Sequence, residues 1–328
     1  MAGGHRVTYA ETDVSTLLAA STGGHLDELI RLRPRLGELG RDVVWATSDT
    51  PQSRSRLADE QIVFTPPIEP RDYGALARSL RRARNTLHDM DIDAVVSTGS
   101  GIALSYMPLA RASGIPCHYV ESAARSAGPS RTGQILARVH GVHLYTQYPA
   151  LANGPWQYAG SVFDGFSPAP RREPTALRKV VVTLGTIKRY GFIGLVERLL
   201  HILPPEAEVL WQTGSTDVSG FPIQARQALP AHEMDRAMRE ADLVIAHAGV
   251  GSSLAAIQCG HAPVVVPRRG HRGEHVDDHQ QMIAAELDRR ELALARELGD
   301  LTLADLEQAA QGCVERTATP PPLALAAA

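Results

Sequence analysis

Five segments of this 328-residue chain carry groups able to bind anions, move protons or hold sugar hydroxyls, and each directly follows a short apolar run. The richest is residues 241–253, where the apolar run 243–246 leads into His247, Gly249, Gly251, Ser252 and Ser253. A strand that passes through such a turn into a helix presents free backbone N–H groups and the positive end of the helix dipole, a nest for a diphosphate. Ser252 reads equally well as a plain helix N-cap. No lysine follows Gly251, so the turn is not a Walker loop. A second segment, Ser21-Thr22-Gly23-Gly24-His25, also follows an apolar run and opens a helix. Paired glycines let a ligand approach the backbone, and an imidazole at that mouth can take a proton from a hydroxyl. A tight turn with a surface histidine is the plainer alternative. The dinucleotide fingerprint G-x-G-x-x-G is absent there, which argues against a dehydrogenase.

Two further turns repeat the arrangement. Thr183-Leu184-Gly185-Thr186 can offer a hydroxyl and an N–H to a phosphate, and Trp211-Gln212-Thr213-Gly214 does the same on the next run, although Trp211 also suits a core. The fifth segment follows residues 264–267 and holds Glu274, His275, Asp277, Asp278, His279 and Gln280. Carboxylate and amide groups such as Asp278 and Gln280 hold sugar hydroxyls directionally. His275, Asp277 and His279 also permit a metal site, but no thiol or compact ligand pair supports one. Asp91-Ile92-Asp93 has the Asp-x-Asp form of metal-dependent sugar transferases, yet it precedes its apolar run and reads as the polar approach to a strand.

The elements that must position these groups alternate. Strands are expected at 16–21, 42–47, 62–65, 94–98, 117–120 and 142–146, with helices at 25–39, 73–90 and 102–113. The rhythm restarts with strands at 180–184, 208–212, 242–246 and 264–266 and helices at 193–203, 252–259 and 278–290. Such alternation implies α/β architecture with parallel sheets covered on both faces. Two doubly wound, Rossmann-like domains would bring two sets of strand C-termini to one cleft, where ligands of open α/β sheets bind. The expected division is an acceptor-binding domain at 1–165, a Pro- and Arg-rich linker at 166–178, a nucleotide-binding domain at 179–316 and a loose tail at 317–328.

Bulk properties restrict the partners. A net charge of −3 gives no electrostatic claim on nucleic acid. Cys117, Cys259 and Cys313 lie far apart, which fits a reducing cytoplasm better than a disulfide framework. The polar first residues do not read as a signal peptide, and no run approaches the ~20 apolar residues of a membrane span. Membrane contact is therefore expected to be peripheral at most, with Arg78, Arg81, Arg82 and Arg84 on one helix and Arg31, Arg33 and Arg35 on another as either a lipid-facing or a simply solvated basic face.

On these residues the chain resembles the inverting GT-B glycosyltransferases. Residues 182–186, 241–253 and 274–280 resemble the catalytic subunit of the dolichol-pathway N-acetylglucosaminyltransferase and its bacterial exopolysaccharide counterparts. Residues 21–26, 119–125 and 130–133 resemble the acceptor-side subunit, and 158–164 the junction, as though both subunits were fused in acceptor-then-donor order. More distantly, the chain is similar to the peptidoglycan lipid-intermediate N-acetylglucosaminyltransferase.

The resemblance implies a nucleoside-diphosphate sugar, UDP-linked first of all, bound by Gly185, Thr186, Gln212, Thr213, Met234, His247, Gly249, Gly251, Ser252, Ser253, Glu274, Asp278, His279 and Gln280. Met234 would pack the base. It also implies a hydroxyl acceptor, lipid-linked or a natural product, met by Thr22, Gly23, Gly24, Ser122 and Arg125, with His25 and Glu121 as candidate catalytic groups. Neither cofactor nor metal is expected. One departure concerns the ribose: uridine-nucleotide relatives often carry a carboxylate where this chain has Ala255, which opens a dTDP-sugar as an alternative donor. A nucleotide-sugar 2-epimerase, using Glu121, Asp277 and Asp278, shares the architecture, and a non-catalytic partner subunit is a third reading.

Overall fold

The computed structural model describes residues 15–68, 73–174, 176–185, 190–275 and 278–326. The first half runs β1 (Ser15–Ala20), α1 (Gly24–Leu32), β2 (Asp42–Ser48), α2 (Pro51–Arg56), β3 (Gln61–Thr65), α3 (Tyr73–Asp89), β4 (Ala94–Gly99), α4 (Gly101–Ala112), β5 (Cys117–Val120), α5 (Arg131–Leu136), β6 (Val142–Thr146) and β7 (Trp156–Tyr158). The second half runs β8 (Phe166–Ala169), β9 (Lys179–Thr183), α6 (Ile193–Ile202), β10 (Glu208–Gln212), β11 (Ala225–Arg226), α7 (Ala231–Glu240), β12 (Leu243–His247), α8 (Val250–Gln258), β13 (Val264–Val266), α9 (His279–Arg289), β14 (Leu294–Ala295), α10 (Leu303–Ala310) and β15 (Cys313–Arg316).

Two sheets result. The first has strand order β3-β2-β1-β4-β5-β6-β7 and the second β11-β10-β9-β12-β13-β14. Every pairing in both is parallel. The central strands are unbroken apolar runs because helices cover both faces; Leu17, Leu18, Val95, Val96, Val182 and Ile245 are all fully buried. The chain is thus an α/β protein of two Rossmann-like halves. In each, the strand order reverses between the first and fourth strands of the unit, at β1/β4 and at β9/β12. That reversal opens a crevice at the strand C-termini, and it is where ligands bind such sheets.

Several expectations need correction. The helix expected at 25–39 ends at Leu32, and residues 33–40 form two short 3₁₀ turns. Pro34 explains the stop, since it lacks an N–H and its ring crowds the carbonyl four residues back. The linker is not free chain: β8 pairs antiparallel with β15, Phe166 opposite Arg316. Nor is the tail loose. Leu323 N–H donates to the Arg35 carbonyl at 2.8 Å, Ala324 N–H to that of Ala159 at 2.9 Å, and Ala326 N–H to the Tyr145 hydroxyl at 2.9 Å. Leu323 enters an apolar cluster shared by both halves. Burial of that leucine and three satisfied N–H groups explain why a Pro- and Ala-rich segment settles on the first sheet's domain.

The same cluster joins the helices that matter for the site. Leu26 and Leu29 of α1 lie in it with Val250, Leu254 and Ile257 of α8 and with Ile283 and Leu287 of α9. An ionic tie reinforces the junction: Asp164 accepts from Arg35 at 3.1 Å and from Arg290, just past the end of α9, at 2.7 Å. Among the described residues no helix is long and apolar enough to cross a membrane.

Candidate active site at the two topological switch points

At the second reversal, His247 ends β12 and its ring lies between two glycines. A Cβ on Gly185 would come within 2.7 Å of the imidazole, and one on Gly249 within 2.3 Å. Gly185 also adopts φ +77°, a conformation that side chains disfavour. The ring's Nδ1 lies 3.4 Å from the Thr183 carbonyl. Burial, with the nearby Arg268 charge second, pushes the His247 pKa down to about 3, so the imidazole is neutral.

Helix α8 starts at once after this slot, with Gly249 rather than Ser252 at the N-cap and no side-chain cap. Its leading N–H groups therefore lack the side-chain oxygen that usually satisfies one of them. Gly251 is exposed and Ser252 half-buried, whereas Ser253 is fully buried with its hydroxyl unpartnered among the described residues. Of the two serines, Ser252 is the one able to meet a ligand without rearrangement.

The neighbouring strand ends complete the edge. Thr183 Oγ1 donates to Gln212 Oε1 at 2.6 Å, and Gln212 Nε2 donates to the Gln227 carbonyl at 2.9 Å, so both are engaged within the protein. Thr213 is buried behind them, and Trp211 belongs to the core. Met234 is half-buried on α7, packed on the same apolar cluster as Ala255. In the polar loop, Glu274 accepts from Arg269 N–H at 3.0 Å, Asp278 from Gly270 N–H at 2.8 Å, and buried Gln280 from Arg268 N–H at 3.0 Å. Those oxygens shape the loop, which leaves other atoms of these side chains for a ligand. His279 opens α9; Thr186 and Asp277 lie outside the described residues.

At the first reversal, His25 sits in the opening turn of α1 and is latched twice to Thr98 at the end of β4. Its Nδ1 is 2.9 Å from the Thr98 carbonyl, and Thr98 Oγ1 donates to the His25 carbonyl at 2.9 Å. A carbonyl only accepts, so Nδ1 carries the proton and Nε2 keeps its lone pair, the tautomer a general base requires. Burial lowers the His25 pKa, against the Thr98 hydrogen bond and with help from the Arg125 charge. Room for the ring comes from Gly99 (φ +124°), whose Cβ would lie 3.1 Å from His25 Cε1. Ser100 beside it holds φ 70°, a conformation rare outside glycine and concentrated at functional turns. Gly23, at φ +94°, donates its N–H to Gln52 Oε1 at 2.7 Å, Gly24 is exposed, and Thr22 is half-buried.

Glu121 is buried, and its Oε2 accepts from Ser130 N at 2.9 Å and Ser130 Oγ at 3.1 Å while Oε1 accepts from Tyr119 at 3.1 Å. With both oxygens engaged it braces the start of α5. It also lines a cavity of about 100 Å³ with Arg125, Asn153 and Trp156. Ser122 is buried and donates to Glu28 at 2.7 Å; Arg125 is exposed. A separate cavity of about 400 Å³ lies beside β14 at the edge of the second sheet, against Pro168, Ala262 and Cys313, and contains none of these groups.

Three features at these edges escape a sequence reading. Glu28 is a charged residue at an apolar helix position, Arg268 looks like part of a basic loop, and Thr98-Gly99-Ser100 differs little from an ordinary turn. The strand-then-glycine rule that found the other turns would also have found the last.

Two doubly wound sheets, each with a glycine-rich turn at its switch point, define the GT-B architecture, and comparisons with known proteins supply the chemistry. The chain aligns with a solved MurG of Acinetobacter baumannii at TM-score 0.56 and 22% identity, over 90% of this chain and 89% of that one. It aligns with the glycosyltransferase SnogD of Streptomyces nogalater at 0.54 and 21%, over 90% and 92%. A curated relative from Prochlorococcus marinus, a UDP-N-acetylglucosamine–N-acetylmuramyl-(pentapeptide) pyrophosphoryl-undecaprenol N-acetylglucosamine transferase, is 29% identical over 82% of this chain and 78% of its own length. The enzyme of the same name from Albidiferax ferrireducens is 27% identical over 80% and 74%. Residues 179–319 match the glycosyltransferase family 28 C-terminal domain. The protein is therefore a glycosyltransferase with the GT-B fold, and its second half is similar to the family 28 C-terminal domain.

Proposed function

We propose that this enzyme moves a sugar, with inversion and without a metal ion, from a nucleoside-diphosphate sugar on the second sheet to a hydroxyl acceptor on the first. The observation that carries this reading is the uncapped start of α8 beside the neutral His247 slot, at the switch point of the second half. In-line displacement leaves negative charge on the diphosphate, and N–H groups already aimed there stabilise it without reorganising. His25, through Nε2, takes the proton from the acceptor hydroxyl.

UDP is the first choice of donor, in keeping with the relatives' names. The half-buried Ala255, packed with Met234 on an apolar cluster, favours dTDP as the second reading, because an apolar wall suits a sugar that lacks one hydroxyl. A lipid-linked acceptor would bring the enzyme to the inner face of a membrane, with the exposed arginines 78, 81, 82 and 84 of α3 turned towards anionic lipid.

A thermal-shift panel of UDP, dTDP, GDP and ADP in chelator tests the donor reading. A ligand present at about 100 times its dissociation constant stabilises by about 2.7 kcal/mol. A shift with UDP or dTDP supports the reading and chooses between the two; no shift with any of the four removes its basis.

A further inference from the structure

Arg268 follows β13 and is fully buried. From there its side chain crosses the end of β12 to β9, where Nη2 donates to the Leu184 carbonyl immediately before the Gly185 turn. Its Cζ lies 5.7 Å from the Phe192 ring centroid. Nε and Nη1 have no hydrogen-bonding partner among the described residues. No carboxylate among those residues pairs with it: Glu274 is the nearest influence, and one oxygen of that carboxylate already accepts from Arg269 N–H.

A guanidinium enclosed with two donor atoms unmatched is costly unless something completes it. Three observations indicate what that is. The charge lies close enough to His247 to help hold that ring neutral. The ring in turn contacts Gly249 and Gly185, the two turns of the proposed diphosphate site. The N-terminus of α8 beside it is uncapped.

We propose that Arg268 is the cation of the donor subsite, its buried charge completed by the diphosphate of the bound donor. This rests on the donor site proposed above and adds to it a fixed positive charge that helix α8 alone does not supply. As the glycosidic bond breaks, its electron pair goes to the departing diphosphate, whose added negative charge develops beside a guanidinium already in place. Charge in such a dry layer is screened far less than at the surface. Arginine suits this role because it stays ionised when buried and offers several donors in a fixed plane.

The test compares affinities for UDP and uridine by calorimetry in wild type, Arg268→Met and Arg268→Lys. The ratio cancels effects on the base pocket and on general folding. Wild type should prefer UDP; Arg268→Met should lose at least tenfold of that preference while binding uridine as before, and Arg268→Lys should lie between. If Arg268→Met does not fold, Arg268→Lys carries the test alone, because it retains the charge but not the Nε donor. An unchanged UDP-to-uridine ratio in a folded variant overturns the role of Arg268 and leaves the donor site intact. A wild type that binds neither UDP and uridine nor dTDP and thymidine overturns both.

Discussion

Glu28 lies one turn beyond His25 on α1, and only 2% of it is accessible. Its carboxylate accepts from Ala123 N–H at 2.7 Å, Ser122 Oγ at 2.7 Å and Gln147 Nε2, tying the base-bearing helix to the loop after β5. Burial raises its pKa from 4.5 to about 6, even though all three hydrogen bonds pull the other way. Because the folded pKa lies above the unfolded one, the folded state holds the proton more tightly. Its contribution is fully present below pH 4.5 and is lost as pH rises through about 6. That interval is worth about 2 kcal/mol. Glu28→Gln keeps the shape and one acceptor but cannot titrate, so it removes this pH dependence. It also sets an amide N–H against a donor, which costs about 1–3 kcal/mol. Urea denaturation of both proteins at intervals from pH 4.5 to 7.5 measures the difference. The wild type should gain about 2 kcal/mol relative to Glu28→Gln as pH falls across that range. Parallel curves would refute the argument, since they would mean that Glu28 titrates alike in the folded and unfolded chains.

Four shorter predictions concern the rest of the molecule. His25→Ala should lower kcat by about 10²–10⁴-fold with little change in donor affinity; since burial depresses its pKa below 6.5, the acid limb of kcat/KM should lie below pH 6.5 and vanish in the variant. Gly249→Ala puts a Cβ 2.3 Å from His247 Nε2, so UDP affinity should fall at least tenfold by calorimetry while far-UV circular dichroism stays native. Asp164→Ala leaves the nearly buried Arg35 without its carboxylate and should cost about 3–5 kcal/mol in chemical denaturation, with Arg290 retaining Glu286. Deletion of residues 317–328 removes Leu323 from the shared apolar cluster and should lower the melting temperature by several degrees, on the basis of about 1.5–3 kcal/mol for one buried leucine.

The sheet strands were legible wherever they were continuous and apolar: β9 reads Lys-Val-Val-Val-Thr and β12 Leu-Val-Ile-Ala-His, and neither sequence suits a helix surface. Short edge elements were not. β7, β11 and β14 have two or three residues each, too few for a periodic signal, and they exist because a neighbouring strand offers partners. The strap at 321–326 was hidden for a related reason, since only the tertiary acceptors at Arg35, Ala159 and Tyr145 give that composition a place. Within the site, glycines after strands identified Gly23, Gly185 and Gly249, because a turn that must accommodate a ring or a ligand needs them. The carboxylates and amides were less legible. Glu121, Gln212 and Gln280 are each buried with a protein partner, and sequence cannot reveal which hydrogen bonds a side chain has already made.

Hydrogen-exchange mass spectrometry of the enzyme with saturating UDP, compared with the free protein, tests the central claim directly. Protection should concentrate in peptides that cover residues 183–185 and 247–254, the Gly185 turn and the start of α8, with smaller changes near His25. Protection confined to the first sheet, or none at a concentration where UDP is bound, would contradict the assignment of the donor to the second switch point.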